Sequence, residues 1–147
     1  MFDAEQASFV CDFIECLTCS NGAPFKLMDW QRDAVTEFYG QLVEAEGDKA
    51  YPAGLYIRRY QYLYLEIAKK NGKSELAAAL GVYHLYADGE INGEVYVVAA
   101  DRENAGIVFS AAKWMVEHSP ALKKRSRIVD STKTIYDTVS GSKLKVM

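Results

Sequence analysis

The chain has 147 residues, of which 50% are hydrophobic and 25% are charged, and its formal net charge is −3. This composition is typical of a globular domain and excludes a disordered or fibrous segment. Its longest apolar runs are far shorter than the roughly 20 residues that a transmembrane helix needs, and its acidic start does not resemble a signal peptide. We therefore expect a cytosolic protein with no membrane partner.

The first fifty residues are predicted to form a helical lead-in. Asp3 begins a capping-box pattern, and apolar residues then recur at helical spacing as far as a predicted helix end near Ser20. A second helix is predicted with Asp29 as its N-cap. The segment 44–54 is polar and is interrupted by glycine and proline, so it is predicted to be a loop.

Residues 55–118 have the pattern of a strand, a helix, a second strand and a second helix. Alternation of side-chain types predicts a strand from Tyr60 to Ile67, and the run rich in leucine and alanine from Lys73 to Ala87 predicts a helix. The nearly all-apolar run from Glu94 to Ala100 predicts a strand buried on both faces of a parallel sheet. The next residue is an aspartate, which is well placed to cap the second helix.

Residues 119–147 are predicted to form short strands. The last two are separated by Ser140-Gly141-Ser142, which suits a hairpin turn. This region carries seven basic and two acidic residues, whereas residues 1–50 carry three basic and ten acidic ones. The asymmetry is compatible with an edge that faces nucleic acid or with a solvated turn, and four residues contribute most to it: Lys123, Lys124, Arg125 and Arg127.

The tripeptide Gly72-Lys73-Ser74 lies between the first predicted strand and the helix that follows it. In that position, backbone N–H groups and the helix dipole attract phosphate, the glycine permits close approach, lysine reaches the β and γ oxygens, and serine can ligate Mg²⁺. Ile67 replaces the first glycine of the standard phosphate loop, so an ordinary helix start remains the alternative. Lys69 and Lys70 favour an anion site, because three close cations repel one another unless an anion is bound.

Several stretches resemble the ATPase part of the large terminase subunit of tailed bacteriophages. They are "YLYLEIAKKNGKSELAAALGVYHLYADGE", "GEVYVVAADRENAGIVFSAAKWMVEHSPAL", "PFKLMDWQRDAV" and "SGSKLKVM", which together cover essentially the whole chain. In that family the loop commonly has basic residues before Asn-Gly-Lys-Ser and lacks the first glycine, so Ile67 is ordinary there. The resemblance implies an α/β fold, namely a partial P-loop NTPase with a Rossmann-like parallel sheet and flanking helices.

The resemblance also implies roles for individual residues. Lys73 would contact the β and γ phosphates of ATP, Ser74 would ligate Mg²⁺, and Lys69 would sense or stabilise the γ phosphate as a second catalytic residue. Gln31 matches the family's adenine-contacting glutamine. The whole nucleotide-binding set is expected to be Gln31, Lys69, Lys70, Asn71, Gly72, Lys73, Ser74 and Glu75.

At the level of the family, the implied activity is the ATPase of a DNA-packaging motor. Such a motor couples ATP hydrolysis to the movement of viral DNA into the procapsid, and a nuclease domain cuts concatemeric DNA. The partners it implies are double-stranded viral DNA, the portal protein and the small terminase subunit, in the cytoplasm of a bacterial host.

A P-loop ATPase also needs a second, acidic strand, with one Asp for Mg²⁺ and, in this family, a neighbouring Glu to activate water. No suitable strand follows Lys73 in the sequence. We therefore expect residues 1–147 to be the N-terminal part of an ATPase domain, truncated before the Walker B strand, with low or no activity and with an exposed sheet edge that favours self-association. Two alternatives remain: a non-catalytic interaction module, and another P-loop ATPase such as a helicase-like protein.

Overall fold

A computed structural model of the chain describes residues 1–68 and 72–147. The chain divides into two compact units, the first formed by residues 1–13 and 26–66 and the second by residues 14–25 and 67–147. In chain order, the elements are α1 (Ala4–Glu15), α2 (Asp29–Gly40), β1 (Leu42–Glu44), β2 (Tyr56–Arg58), α3 (Lys73–Tyr86), β3 (Glu94–Val97), α4 (Arg102–Glu117), α5 (Pro120–Lys123), β4 (Ser126–Val129), a 3₁₀ turn (Asp130–Thr132), β5 (Thr134–Asp137) and β6 (Lys143–Val146). No described helix is both long enough and apolar enough to cross a membrane.

Helices α1 and α2 confirm the helical lead-in, although their ends differ from the prediction. The Asp3 carboxylate accepts a hydrogen bond from the backbone N–H of Gln6, as the capping pattern requires. Helix α1 ends at Glu15 and not near Ser20, because the chain turns back into a bridge between Thr18 and Pro24. Asp29 is the first helical residue of α2 and not its N-cap, which is Met28.

The strand predicted from Tyr60 to Ile67 is wrong. The nearest strand pairing before these residues is the antiparallel pair of β1 and β2, which ends at Leu42 opposite Arg58. The described residues from Arg59 to Ala68 contain no strand. Side-chain alternation fits a pleated backbone, but a strand also needs a neighbour that supplies hydrogen bonds.

The second unit contains a four-stranded sheet with the order β3-β6-β5-β4. The predicted hairpin is confirmed, because β5 and β6 pair antiparallel around Ser140 to Ser142. The sheet is mixed, and the Rossmann-like parallel arrangement predicted is found in one pair: β3 with β6 is parallel, while β4 and β5 run antiparallel to their neighbours. The short connections within residues 126–146 explain this, because a tight turn can join only antiparallel strands.

Among the described strands β3 lies at an edge of the sheet, and its alternate side chains are exposed, which corrects the prediction that both of its faces are buried. It ends at Val97, and the flanking Val98 is 74% exposed while Tyr96 within the strand is 47% exposed. Its side chains are therefore partly solvated even though its sequence is apolar.

Helices α3 and α4 pack against each other and against the inward face of the sheet. The helices and strands contribute fully buried side chains to this core: Ala79, Val82, Tyr83, Met115, Ile135 and Leu144. Gly81 allows close approach, because a Cβ there would lie 3.3 Å from a Leu144 methyl carbon. Residue Asp101 caps α4 as predicted, since its carboxylate accepts from the backbone N–H of Asn104 at 2.8 Å.

Arg125 is part of this folded core and not of a purely solvated or nucleic-acid-facing edge. Its guanidinium donates two hydrogen bonds, of 2.7 and 2.6 Å, to the fully buried carboxylate of Asp137. The same guanidinium lies over the ring of Tyr86, at 5.5 Å from the ring centroid. Burial is the main reason why the pKa of the Tyr86 hydroxyl is raised to about 12. The charge asymmetry of the sequence thus includes one basic residue that serves to neutralise a buried acid.

Candidate functional site at the start of helix α3

The candidate site is the first turn of α3, which begins directly after Gly72. This glycine is the N-cap and has a left-handed backbone, with φ of +75° and ψ of 21°. Residues with a Cβ rarely adopt this left-handed conformation, so the backbone itself favours glycine at position 72. The carbonyl of Gly72 accepts the first helical hydrogen bond, from the N–H of Leu76 at 3.0 Å.

Three predicted site residues follow this cap: Lys73, Ser74 and Glu75. The side chain of Lys73 is exposed at the very start of the helix, and Ser74 and Glu75 are half-buried. The N–H groups in the first turn of an α-helix have no acceptor within the helix, and the helix dipole makes this end positive. The arrangement therefore brings together backbone donors, one cationic side chain and one hydroxyl.

The remaining predicted site residues are placed differently. Lys69, Lys70 and Asn71 lie outside the described residues. Gln31 belongs to the first compact unit, whereas Lys73 belongs to the second. Gln31 is only 2% exposed, and its amide oxygen accepts a hydrogen bond from the backbone N–H of Met28 at 2.9 Å. This contact caps α2, so the glutamine has a structural role in the form described here.

A cavity of about 400 Å³ lies beside the first turn of α3. One wall is formed by Ser20, Ser74 and Glu75, and the other by a face of α4 that includes Glu103 and Ser110. Sequence reasoning missed Ser20, because no spacing pattern links it to Glu75, which lies 55 positions later in the chain.

Ser20 donates a hydrogen bond from its hydroxyl to one carboxylate oxygen of Glu75. The other carboxylate oxygen of Glu75 is buried and has no hydrogen-bond partner among the described residues. The carboxylate also influences the neighbouring thiol: burial first, and then the negative charge of Glu75, raise the pKa of Cys19. The first turn of α3 is thus tied to the segment around Ser20 and carries an incompletely solvated negative charge.

The reactivity of Cys19 tests this arrangement. We expect Glu75→Gln to lower the pKa of the thiol, because one of the two causes of its elevation is removed. The pH profile of iodoacetamide alkylation at Cys19, followed by peptide mass spectrometry, should then move to lower pH. Glu103→Gln is the matched control, since Glu103 lines the same cavity but does not contribute to the shift. Equal profiles for the two variants would contradict the placement of Glu75.

Comparison with known proteins gives a consistent result. Residues 49–147 match the family described as "Terminase large subunit, ATPase domain". The chain is similar to the large terminase subunit of Enterobacteria phage HK97, with 31% identity over 115 residues, which are 78% of this chain and 20% of that protein. It is also similar to the crystal structure of the HK97 large terminase, with a TM-score of 0.77 and 28% identity over 100% of this chain and 27% of the other.

The chain thus spans between a fifth and about a quarter of the length of these relatives. The family match covers well over half of the chain and includes α3 with all three residues that follow its glycine cap. The mixed α/β architecture is shared with the solved terminase. On these grounds the chain belongs to the terminase large subunit family, of which it represents the N-terminal ATPase part.

Proposed function

We propose that the first turn of α3 binds the phosphates of ATP. The observation that carries this proposal is the left-handed Gly72 cap followed at once by the exposed Lys73, within a chain that belongs to an ATPase domain family. The donor set suits a polyphosphate, because free N–H groups and an ammonium group are both anion ligands. The Ser74 hydroxyl suits Mg²⁺, which prefers oxygen ligands.

Two lysines have separate tasks in this proposal. Lys73 donates to the β and γ phosphate oxygens, and Lys69 stabilises charge on the γ phosphate, with Lys70 and Asn71 completing the loop. When bound, ATP would supply the phosphoanhydride bond that is broken, and Mg²⁺ would offset the negative charge of the phosphates. These assignments for residues 69–71 come from the family pattern alone.

We also propose Gln31 as the residue that reads adenine, through the donor and acceptor of its amide. In the described form its oxygen is bonded to the N–H of Met28 and the side chain is buried. Adenine recognition would therefore require Gln31 to leave or share the cap of α2. The proposal connects nucleotide binding to the start of that helix.

At the level of the whole terminase large subunit, we propose that ATP hydrolysis drives the packaging of viral DNA into the procapsid and that a nuclease domain cuts concatemeric DNA. Its partners would be double-stranded DNA, the portal protein and the small terminase subunit in the bacterial cytoplasm. Among the described residues we infer a partial P-loop fold in which no strand supplies the Walker B acids, so residues 1–147 by themselves should hydrolyse ATP slowly or not at all. Self-association through the exposed edge of β3 is part of the same proposal.

Titration calorimetry with a non-hydrolysable ATP analogue and Mg²⁺ tests the central proposal. We expect weak but measurable binding, together with little phosphate release from ATP itself. Adenosine serves as the matched control ligand, because it lacks the phosphates that α3 is proposed to hold. An absence of heat at about 1 mM analogue, which corresponds to a binding free energy weaker than about −4 kcal/mol, would favour the alternative of a non-catalytic interaction module.

A further inference from the structure

The outward face of the four-stranded sheet is basic. Successive side chains of a strand point to opposite faces, so the strand neighbours of the buried Ile135, Leu144 and Val146 lie on the outward face, where Thr134 is itself buried. Thr134 and Val129 share this face by register. We call its charged and aromatic members the basic face, and they are Arg127, Tyr136, Lys143, Lys145, Tyr96 and Glu94. The register places Glu94, Lys143, Tyr136 and Arg127 in one row across the sheet, and Tyr96 beside Lys145 in the next.

The charge of this face is unbalanced. It carries three cations and one acid, and that acid is Glu94, whose carboxylate lies 3.3 Å from the ammonium of Lys143. Within the described part of the chain, neither Arg127 nor Lys145 has a carboxylate partner. The face therefore keeps a net positive charge in a protein whose total charge is negative.

The two tyrosines hold cations in place. The guanidinium of Arg127 lies 4.5 Å from the ring centroid of Tyr136, and the ammonium of Lys143 lies 6.0 Å from that of Tyr96. Such cation–π contacts already restrict these long side chains in the unbound protein. Less conformational freedom is therefore lost when a ligand binds. They also place cations over the rings, which makes the rings poor platforms for stacking bases.

We infer that the basic face binds the sugar–phosphate backbone of duplex DNA without reading its sequence. Neighbouring strands are about 4.8 Å apart and alternate residues about 7 Å apart, so the three cations cover a patch of roughly 10 Å by 7 Å. Over 10 Å of axis, a duplex presents about six negative charges. The choice of DNA as the ligand rests on the proposed function, and the inference adds where on the chain the DNA would bind. It does not depend on ATP binding at α3.

Fluorescence anisotropy with a labelled 20-base-pair duplex, measured over a series of salt concentrations, tests this inference. For the unmodified chain we expect log Kd to rise with log salt with a slope of about 2 to 3, because each neutralised phosphate contributes about 0.9. The double variant Arg127→Ala/Lys145→Ala should bind at least about 10-fold more weakly at low salt and should lose about 2 from that slope.

Lys26→Ala/Lys49→Ala is the control for net charge. Both lysines are exposed and lie in the first compact unit, so this variant has the same net charge as the test variant but an intact basic face. It should keep most of the affinity and the slope. Glu94→Gln should bind more tightly than the unmodified chain, because it removes the acid of the face and releases Lys143.

Three results would overturn the inference: no duplex binding at about 20 mM salt, equal weakening by the two double variants, or a clear preference for single-stranded DNA. All the substituted side chains are exposed or half-buried, and thermal unfolding of each variant checks that the fold is retained. Failure of ATP analogue binding would leave this result unchanged, so the two proposals can fail separately.

Discussion

Replacing Lys73 with alanine should weaken binding of the ATP analogue about 10- to 100-fold. The substitution removes the cationic side chain that is exposed at the start of α3 and leaves the Gly72 cap and the backbone donors in place. A hydrogen bond between charged groups contributes about 1.5–3 kcal/mol, and each 1.4 kcal/mol is a factor of ten in affinity. Calorimetry in the presence of Mg²⁺ measures the change directly.

Two companion variants separate the roles of neighbouring side chains. Ser74→Ala should reduce affinity in the presence of Mg²⁺ but should have little effect in its absence, because the hydroxyl is proposed to act through the cation. Lys49→Ala removes an exposed lysine of the first compact unit and should leave nucleotide affinity unchanged. If Lys73→Ala bound the analogue as tightly as the unmodified chain, α3 would not be the phosphate site.

The features that could be predicted from the sequence depend on neighbouring residues. The Gly72 turn, the capping of α4 by Asp101 and the hairpin around Gly141 each follow from the conformations or hydrogen bonds available to a few consecutive residues. The leucine- and alanine-rich composition of α3 is local in the same sense, and its bounds, Lys73–Tyr86, differ from the prediction by a single residue.

Features that depend on distant partners were not predictable in the same way. The residues from Tyr60 to Ile67 have the side chains of a strand, but whether they form one depends on a neighbouring strand that local sequence does not reveal. The edge position of β3 depends on the order in which four strands assemble. The contact between Ser20 and Glu75 joins residues 55 positions apart and has no sequence signature.

Replacing Asp137 with asparagine should destabilise the fold by about 3 kcal/mol, near the lower limit for breaking a buried ion pair, because Arg125 is partly exposed and can be partly solvated. The Asp137 side chain is fully buried and accepts hydrogen bonds from Arg125, from the Ser140 hydroxyl at 2.6 Å and from the Val139 N–H at 3.1 Å. Asparagine has a similar size, but it carries no negative charge and accepts through one oxygen only. Urea unfolding followed by circular dichroism measures the loss.

The matched control is Asp130→Asn, which breaks the ion pair between Asp130 and Lys113. The Asp130 side chain is 68% exposed, so this substitution should lower the unfolding free energy by less than about 1 kcal/mol. The pH dependence gives a second test. Burial favours the neutral form of Asp137, but hydrogen bonds from Arg125 and its other donors outweigh it and lower the pKa of the carboxyl.

A lowered pKa in the folded state means that the charged carboxylate stabilises the fold above the pKa of the unfolded chain, about 3.9 for Asp, and that this contribution is lost as the pH falls below it. The difference in unfolding free energy between the unmodified chain and Asp137→Asn should therefore have its full value at pH 7 and should become smaller below about pH 4. A difference that stayed constant down to pH 3 would show that asparagine disturbs packing alone, and that the charge pair with Arg125 does not stabilise this end of the sheet.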